Sequence, residues 1–466
     1  MTAPTLPTWP PATEQDEAAA DAPATGAIRS RHRRVAGGRA RWAVLAALAA
    51  VLVAAASYDV ITVSSDHRVN AALRTDEARV SRARSALSHT RSGIASTTAT
   101  LEARRQAAAR DADEIGAATR SLDASAQTNY FQTLDIATLR TCLSGVSTAT
   151  SDLASADLQG AVTSITAAST ACGTLDSANG GLVYPFNFPD PFVLSVGHGY
   201  YAFATNSAAG NIQIIESSDL TRWTTVGDAL PHLPSWAKPG NTWGPSVLQR
   251  GSTFVLYYSV LDGTTGEECI SEAVATQPAG PYIDSSKKPL VCQLNLGGSM
   301  DPSPFVSPDG TPYLTWKSQG ANGQPATLWA EQLSPSGTGI GHTPLALLTP
   351  TQSWQAGVVE GPDMVVEGGQ YLLFYSGNNW QTAEYAIGVA DCRGPLGPCT
   401  DASAQPLLAS GPAFSGPGGP SVFTDTDGDL WMAFHAWLPG QVGYPNNRPL
   451  FVLRITITGG NVQTGW

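Results

Sequence analysis

Two rhythms of apolar residues divide the chain. Over residues 66–128, apolar or small residues recur at seven-residue steps: Leu73, Val80, Leu87, Ile94, Leu101, Ala108, Ile115 and Leu122. That is one seam of a heptad, and a stretch with no Pro and only two Gly, at positions 93 and 116, predicts a long helix. The companion seam (Asp76, Ala83, Thr90, Thr97, Arg104, Asp111) is too polar for a tight coiled coil. A helical stalk over 65–128, paired weakly as a dimer if at all, is the expectation. Residues 129–180 stay rich in Ala, Thr, Ser and Leu and predict a helical hairpin, with Cys142 and Cys172 able to staple its arms.

Ahead of the stalk, "WAVLAALAAVLVAAASYDVITV" (42–63) follows "RSRHRRVAGGRAR", six arginines before an apolar run. This pattern predicts a transmembrane signal anchor over 42–64, with the basic, Pro/Ala-rich segment 1–41 on the cytoplasmic side. "AAAS" also offers a cleavage site, so secretion after signal removal is the alternative.

From 181 to 466 the rhythm changes to short apolar runs between Gly, Pro and Asp-Gly turns. One phrase recurs five times: "PDPFVLSVGHGYYAFAT", "WGPSVLQRGSTFVLYYS", "MDPSPFVSPDGTPYLTWKS", "VEGPDMVVEGGQYLLFYS" and "GPGGPSVFTDTDGDLWMAFHAW". Pro191, Pro245, Pro304, Pro362 and Pro420 mark it at steps of 54 to 59 residues. Each copy runs from a Pro through an apolar strand and a hairpin turn to a strand ending in aromatics. Further strand-like runs between copies supply about four strands per unit. An all-β, five-bladed β-propeller follows from sheets of this size at this period. "DTDGD" (425–429) occupies the hairpin-turn position of its copy and lacks the distal Glu of a calcium loop, so it reads as a turn.

Charge and cysteines narrow the setting. A net charge of -12 excludes a nucleic-acid partner that needs a basic surface. The six cysteines fall into neighbouring pairs, Cys142 with Cys172, Cys269 with Cys292 and Cys392 with Cys399, which fits disulfides in an oxidising compartment. No zinc spacing of Cys or His is present.

The residue taken to head each copy is Asp190, Gly244, Asp301, Glu360 and Gly419 in turn. Innermost propeller strands start at one end of the central channel, so three acids converge there. Like charges in one pocket raise one another's pKa and are costly without a use. Glycoside hydrolysis has that use: one carboxylic acid protonates the leaving oxygen while a carboxylate activates water or attacks the sugar.

These residues resemble glycoside hydrolase family 43, five-bladed propeller enzymes acting on arabinofuranosyl and xylosyl linkages. The matching phrases are "PDP", "MDPSPF", "EGPDM", "SSDLTRW" (217–223) and "GPY" (280–282), over roughly 182–458. The resemblance implies Asp190 as general base, Glu360 as general acid and Asp301 as the residue that orients the acid and tunes its pKa. It also implies single-displacement hydrolysis with inversion and no organic cofactor. Family members often place a histidine where His435 stands, near a central ion in some, so a structural calcium or other central ion is carried as an open expectation; no metal ligand set is assigned. Trp243, Trp316, Trp380 and Trp437, with His435, are the candidates for sugar contact. The chain departs from the family at "WGPSV", where Ala-Pro-Asp is common, and at "GPGGPS", where Gly-His is frequent.

The expectation is therefore an exported, membrane-tethered glycosidase acting on poly- or oligosaccharide, with its C-terminal domain extracellular. A fructan-processing propeller fits less well, because Pro189 and Met300 replace the Asn and Arg that precede the two Asp-Pro pairs in that group. The non-enzymatic alternative is a sugar-binding propeller acting as a cell-surface sensor.

Overall fold

The computed structural model describes residues 49–50, 67–176, 181–208 and 210–465. The expected anchor at 42–64 and the segment 1–41 lie outside the described residues, apart from 49–50. Among the described residues no helix is long and apolar enough to cross a membrane.

Helix α1 spans His67–Ala154 without a break, passing straight through the boundary expected at 128. Nothing near 128 would end a helix: the nearest glycines are Gly116 and Gly145, and there is no proline. Two compact units divide it near Ile115. In the earlier unit Val80, Leu87, Ile94 and Leu101 form an exposed seam. After a turn at Ala156, with positive φ, helix α2 runs Leu158–Asp176. Asp157 caps it by accepting the Gly160 N–H at 2.8 Å. The two helices pack closely where Gly145 faces Ala168, since a Cβ on Gly145 would stand 2.8 Å from the Ala168 Cβ. Cys142 is disulfide-bonded; the side chain of Cys172, its expected partner, is outside the described ones.

Five antiparallel sheets make the propeller. Blade 1 comprises Phe192–Val196, Gly199–Ala204, Gln213–Ser217 and Thr224–Asp228. Blade 2 has three strands, Ala237–Arg250, Thr253–Asp262 and Glu268–Ala275; isolated bridges Ile270–Val291 and Val274–Ile283 replace a fourth. Pro281 and Pro289 in that edge segment cannot donate to a ladder, which explains the missing strand. Blade 3 is Met300–Val306, Pro312–Ser318, Thr327–Gln332 and Leu345–Leu348, and blade 4 is Val359–Glu367, Gln370–Gly377, Ala386–Cys392 and Cys399–Asp401. Blade 5 is Ser415–Thr424, Leu430–Trp437 and Leu450–Thr458. Its third strand pairs outward with both Asn461–Thr464 and Leu182–Tyr184. The start of the domain thereby closes the ring onto its end.

The second strand of blade 3, "PYLTWKS", is buried at every position, because neighbouring blades cover both faces of its sheet. Five hydrophobic clusters result, each shared by two adjacent blades, from blades 5 and 1 round to blades 4 and 5. A fully buried side chain of this kind contributes roughly 1.5–3 kcal/mol. Disulfides Cys269–Cys292 and Cys392–Cys399 tie edge segments of blades 2 and 4. In the "DTDGD" turn, Asp425 accepts the N–H groups of Asp427 and Asp429 and the Trp431 indole N–H.

Candidate active site

The inner strands share one local device, which corrects the alignment of the copies. Asp190, Gly244, Asp301, Gly361 and Gly419 each precede a proline and each has a left-handed φ, between 49 and 61°. Pro302, not Pro304, is the marker in the third copy, and Gly361, not Glu360, heads the fourth. In blades 2 to 5 a β-bulge falls at this point, since a left-handed residue followed by proline cannot continue the ladder. Glycine adopts this conformation freely; for other L-residues it costs about 1–2 kcal/mol, with Asp among the more tolerant. Asp190 and Asp301 are thus carboxylates placed where the repeat otherwise uses glycine.

The backbone N–H of each of these residues donates to the blade before it. Asp190 donates to His435 Nδ1 at 2.9 Å, Gly244 to Thr205 Oγ1 at 3.2 Å, Asp301 to Ser259 Oγ at 2.8 Å and Gly419 to Ser376 Oγ at 2.8 Å. In blade 3 the corresponding strand position is Lys317, paired with Met300 as Ser259 pairs with Trp243. An ammonium cannot accept, so Gly361 donates instead to Asp301 Oδ2 at 3.1 Å. Lys317 is freed to reach Glu360, and its Nζ stands 2.6 Å from Oε2. Tyr385 donates to the other oxygen, Oε1, at 2.7 Å. Asp190 accepts the Thr205 hydroxyl at 2.6 Å.

Asp190, Asp301 and Glu360 line one cavity of about 1070 Å³ together with Lys317, Tyr385 and Arg448. Burial holds the Asp301 carboxyl well above its ordinary range; Lys317 draws it partly back, and Glu360 and Asp190 push it up again. Burial opposes the charge on Lys317, but Glu360 and Asp301 outweigh it and hold the ammonium above its ordinary value. Burial, then Glu360 and Asp190, keep the Tyr385 phenol protonated. The site therefore combines three carboxyls with two cations, Lys317 and Arg448, and Asp301 is the carboxyl that burial disposes to hold a proton.

The expected sugar-contacting residues divide. Trp243 and Trp380 line the cavity. Trp316 and Trp437 do not: both are fully buried between blades, where their indole N–H groups donate to Gln293 Oε1 and the Trp380 carbonyl. His435 is also fully buried and off the cavity wall. Its Nδ1 accepts from the Asp190 amide at 2.9 Å, and its Nε2 faces the Arg448 guanidinium at 3.3 Å. Burial, and then Arg448, hold His435 neutral. With Nδ1 engaged and a cation against Nε2, His435 does not suit a central metal ion. Among the described residues no group of three or more His, Cys, Asp or Glu is arranged to ligate a metal.

Sequence reasoning missed Lys317, Tyr385 and Arg448. Arg448 is buried, stacks on Trp380 at 4.5 Å from the ring centroid, and leaves its Nε without a protein acceptor. A lone Arg in the uncharged run "YPNNRPLF" was the available signal. The Gly-rich head of blade 5 also has a cause. A Cβ on Gly418 would lie 1.8 Å from the Tyr385 ring, so the glycine makes room for the phenol that holds Glu360. Gly244 similarly faces Asp301, whose Oδ1 would stand 3.0 Å from an added Cβ.

A closed five-bladed ring with paired acids, a fixed cation and aromatic walls at its axis defines a glycoside hydrolase. The profile of glycosyl hydrolases family 43 matches residues 182–462, and the chain belongs to that family. It is 28% identical over 293 residues to a probable arabinan endo-1,5-alpha-L-arabinosidase A of Aspergillus flavus, covering 57% of this chain and 86% of the relative. It is 26% identical over 278 residues to the beta-D-galactofuranosidase xynD of Aspergillus niger, covering 56% and 77%. The crystal structure of a thermostable family-43 glycoside hydrolase superposes with a TM-score of 0.55 at 27% identity, covering 60% of this chain and 93% of that one.

Proposed function

We propose that the propeller hydrolyses arabinofuranosyl or xylosyl linkages by single displacement, with Glu360 as general acid, Asp190 as the base that activates water, and Asp301 as the residue that orients Glu360. The observation that carries this is the convergence of the three carboxyls on one cavity from three blades, with Glu360 held on both oxygens by Lys317 and Tyr385. Two donors aim its carboxyl, and Asp301, its own carboxyl raised by burial, holds a proton in the same cavity. Asp190, more exposed and steadied by the Thr205 hydroxyl, takes the proton of the attacking water. Trp243 and Trp380, both on the cavity wall, offer apolar surface to a sugar ring. The names of the relatives, an arabinan endo-1,5-alpha-L-arabinosidase and a beta-D-galactofuranosidase, favour a furanoside substrate.

Export agrees with two intact disulfides in the propeller and with the arginine-flanked apolar run at 42–63. Membrane tethering, with the propeller outside, is part of the same proposal.

The test uses the full chain with aryl α-L-arabinofuranoside, aryl β-D-xyloside, arabinan and xylan, beside Glu360→Gln. Turnover that the variant loses, with the inverted anomer formed first by NMR, is the expected result. A folded parent without turnover on all four substrates overturns the proposal in favour of a sugar-binding propeller.

A further inference from the structure

The family match begins at residue 182, but the cavity extends beyond it. Thr119 and Asp123 of α1 line it beside Tyr184, Phe186 and Thr225. They come from a helix segment seated on the propeller. Gln127 is buried and its Nε2 donates to the Trp223 carbonyl at 2.7 Å. Ala126 packs on the blade 5/1 cluster, and Tyr130 and Phe131 on the blade 4/5 cluster. Positions 119, 123 and 127 stand four apart on one helix face. The contact that docks the helix therefore also sets Thr119 and Asp123 against the cavity.

We propose that this end of the cavity is a distal subsite for a neutral, hydroxyl-rich oligosaccharide whose other end reaches the three carboxyls. The inference rests on the glycosidase reading. The Asp123 carboxylate makes no side-chain hydrogen bond among the described residues, so both oxygens are open to sugar hydroxyls. The Thr119 hydroxyl donates to the Ile115 carbonyl at 2.9 Å and is left as an acceptor. The rest of the wall offers uncharged polar groups, among them Asn187 and Gln213. Carboxylates at both ends disfavour an anionic chain. A volume of about 1070 Å³ lies at the top of the ~300–1,000 Å³ typical of small-ligand sites, which leaves room for several sugar units.

The experiment compares the full chain with Asp123→Ala and, separately, Thr119→Val. The probes are arabino- and xylo-oligosaccharides of two to eight units and an aryl glycoside. Hydrogen bonds to a charged group support a loss of about tenfold. The expected outcome in Asp123→Ala is that KM rises about tenfold on the longest chains, kcat holds, and the gain of kcat/KM with chain length flattens. Calorimetric titration of the same oligosaccharides into Glu360→Gln, with and without Asp123→Ala, reads the subsite without turnover. A length profile and affinities identical in parent and variants, at an unchanged melting temperature, overturn the subsite and leave α1 a support only. A parent that binds long chains through Asp123 but hydrolyses none overturns the hydrolase reading and keeps the subsite.

Discussion

Lys317 Nζ lies 2.6 Å from Glu360 Oε2, and the lysine side chain is only 3% exposed. This ion pair spans blades 3 and 4 and exists because Lys317 occupies the strand position that supplies an acceptor in other blades. Lys317→Met removes the cation that holds Asp301 down. The transition belonging to Asp301 in the pH profile of kcat/KM is expected to move up by about one unit or more. Stability is expected to fall by roughly 3–5 kcal/mol, because one partner of a buried pair is stranded. Denaturant unfolding and a pH–rate profile check the two outcomes; a profile that stays in place contradicts the role given to Lys317.

Gly418→Ala is expected to push Tyr385 away from Glu360, since the new methyl would overlap the ring. Tyr385→Phe removes only the hydrogen bond. A bond to a charged group is worth about 1.5–3 kcal/mol, so Tyr385→Phe is expected to lower stability by up to that amount and kcat about ten- to a hundredfold. Gly418→Ala is expected to lower both kcat and stability.

Buried carboxyls give the fold an inverted response to acid. Burial, with Asp301 and Glu267 adding to it, raises Glu268 to about 8, and its Oε2 has no hydrogen-bond partner. Burial raises Asp363 to about 6, against the Val422 N–H and the Ser303 hydroxyl. The folded chain holds these protons more tightly than the unfolded chain. Their stabilisation is thus complete below the ordinary carboxyl range, near 4, and is lost as pH rises through about 6 and about 8, on the order of 3 kcal/mol for each. Glu268→Gln is expected to be more stable than the parent at pH 8.5 and equal to it at pH 4. Urea midpoints at both values decide; a difference that does not vary with pH rules the account out.

Two tryptophans separate binding from packing. Trp316→Ala empties a fully buried site and is expected to cost about 3–5 kcal/mol. Trp243→Ala alters the cavity wall and is expected to raise KM severalfold at nearly constant stability. Melting curves and substrate titrations on both variants would show the reverse pattern if Trp316 were the sugar contact.

The acids were legible in sequence, but their register was not fully read. Asp, Gly, Asp, Gly and Gly before the five prolines already spell a left-handed residue that glycine tolerates best, and counting from the proline places Glu360 one residue earlier. Lys317 and Tyr385 carried no such local mark, and Arg448 only its isolation in an uncharged run. Each comes from a different segment and gains meaning only from the residue it meets on a neighbouring strand.

The chain by itself determines the five-fold repeat, the turns, the prolines that mark each copy and the three candidate acids, because these depend on residue type and backbone conformation within a few residues. The third acid's environment and the division of the tryptophans were decided by tertiary structure. Both faces of the second strands are largely covered by the neighbouring blades, so period-two alternation no longer distinguishes core from cavity. Only the packing of blade on blade buries Trp316, Trp437 and His435 while leaving Trp243 and Trp380 at the axis. The same packing turns a lysine in an acceptor's place toward Glu360.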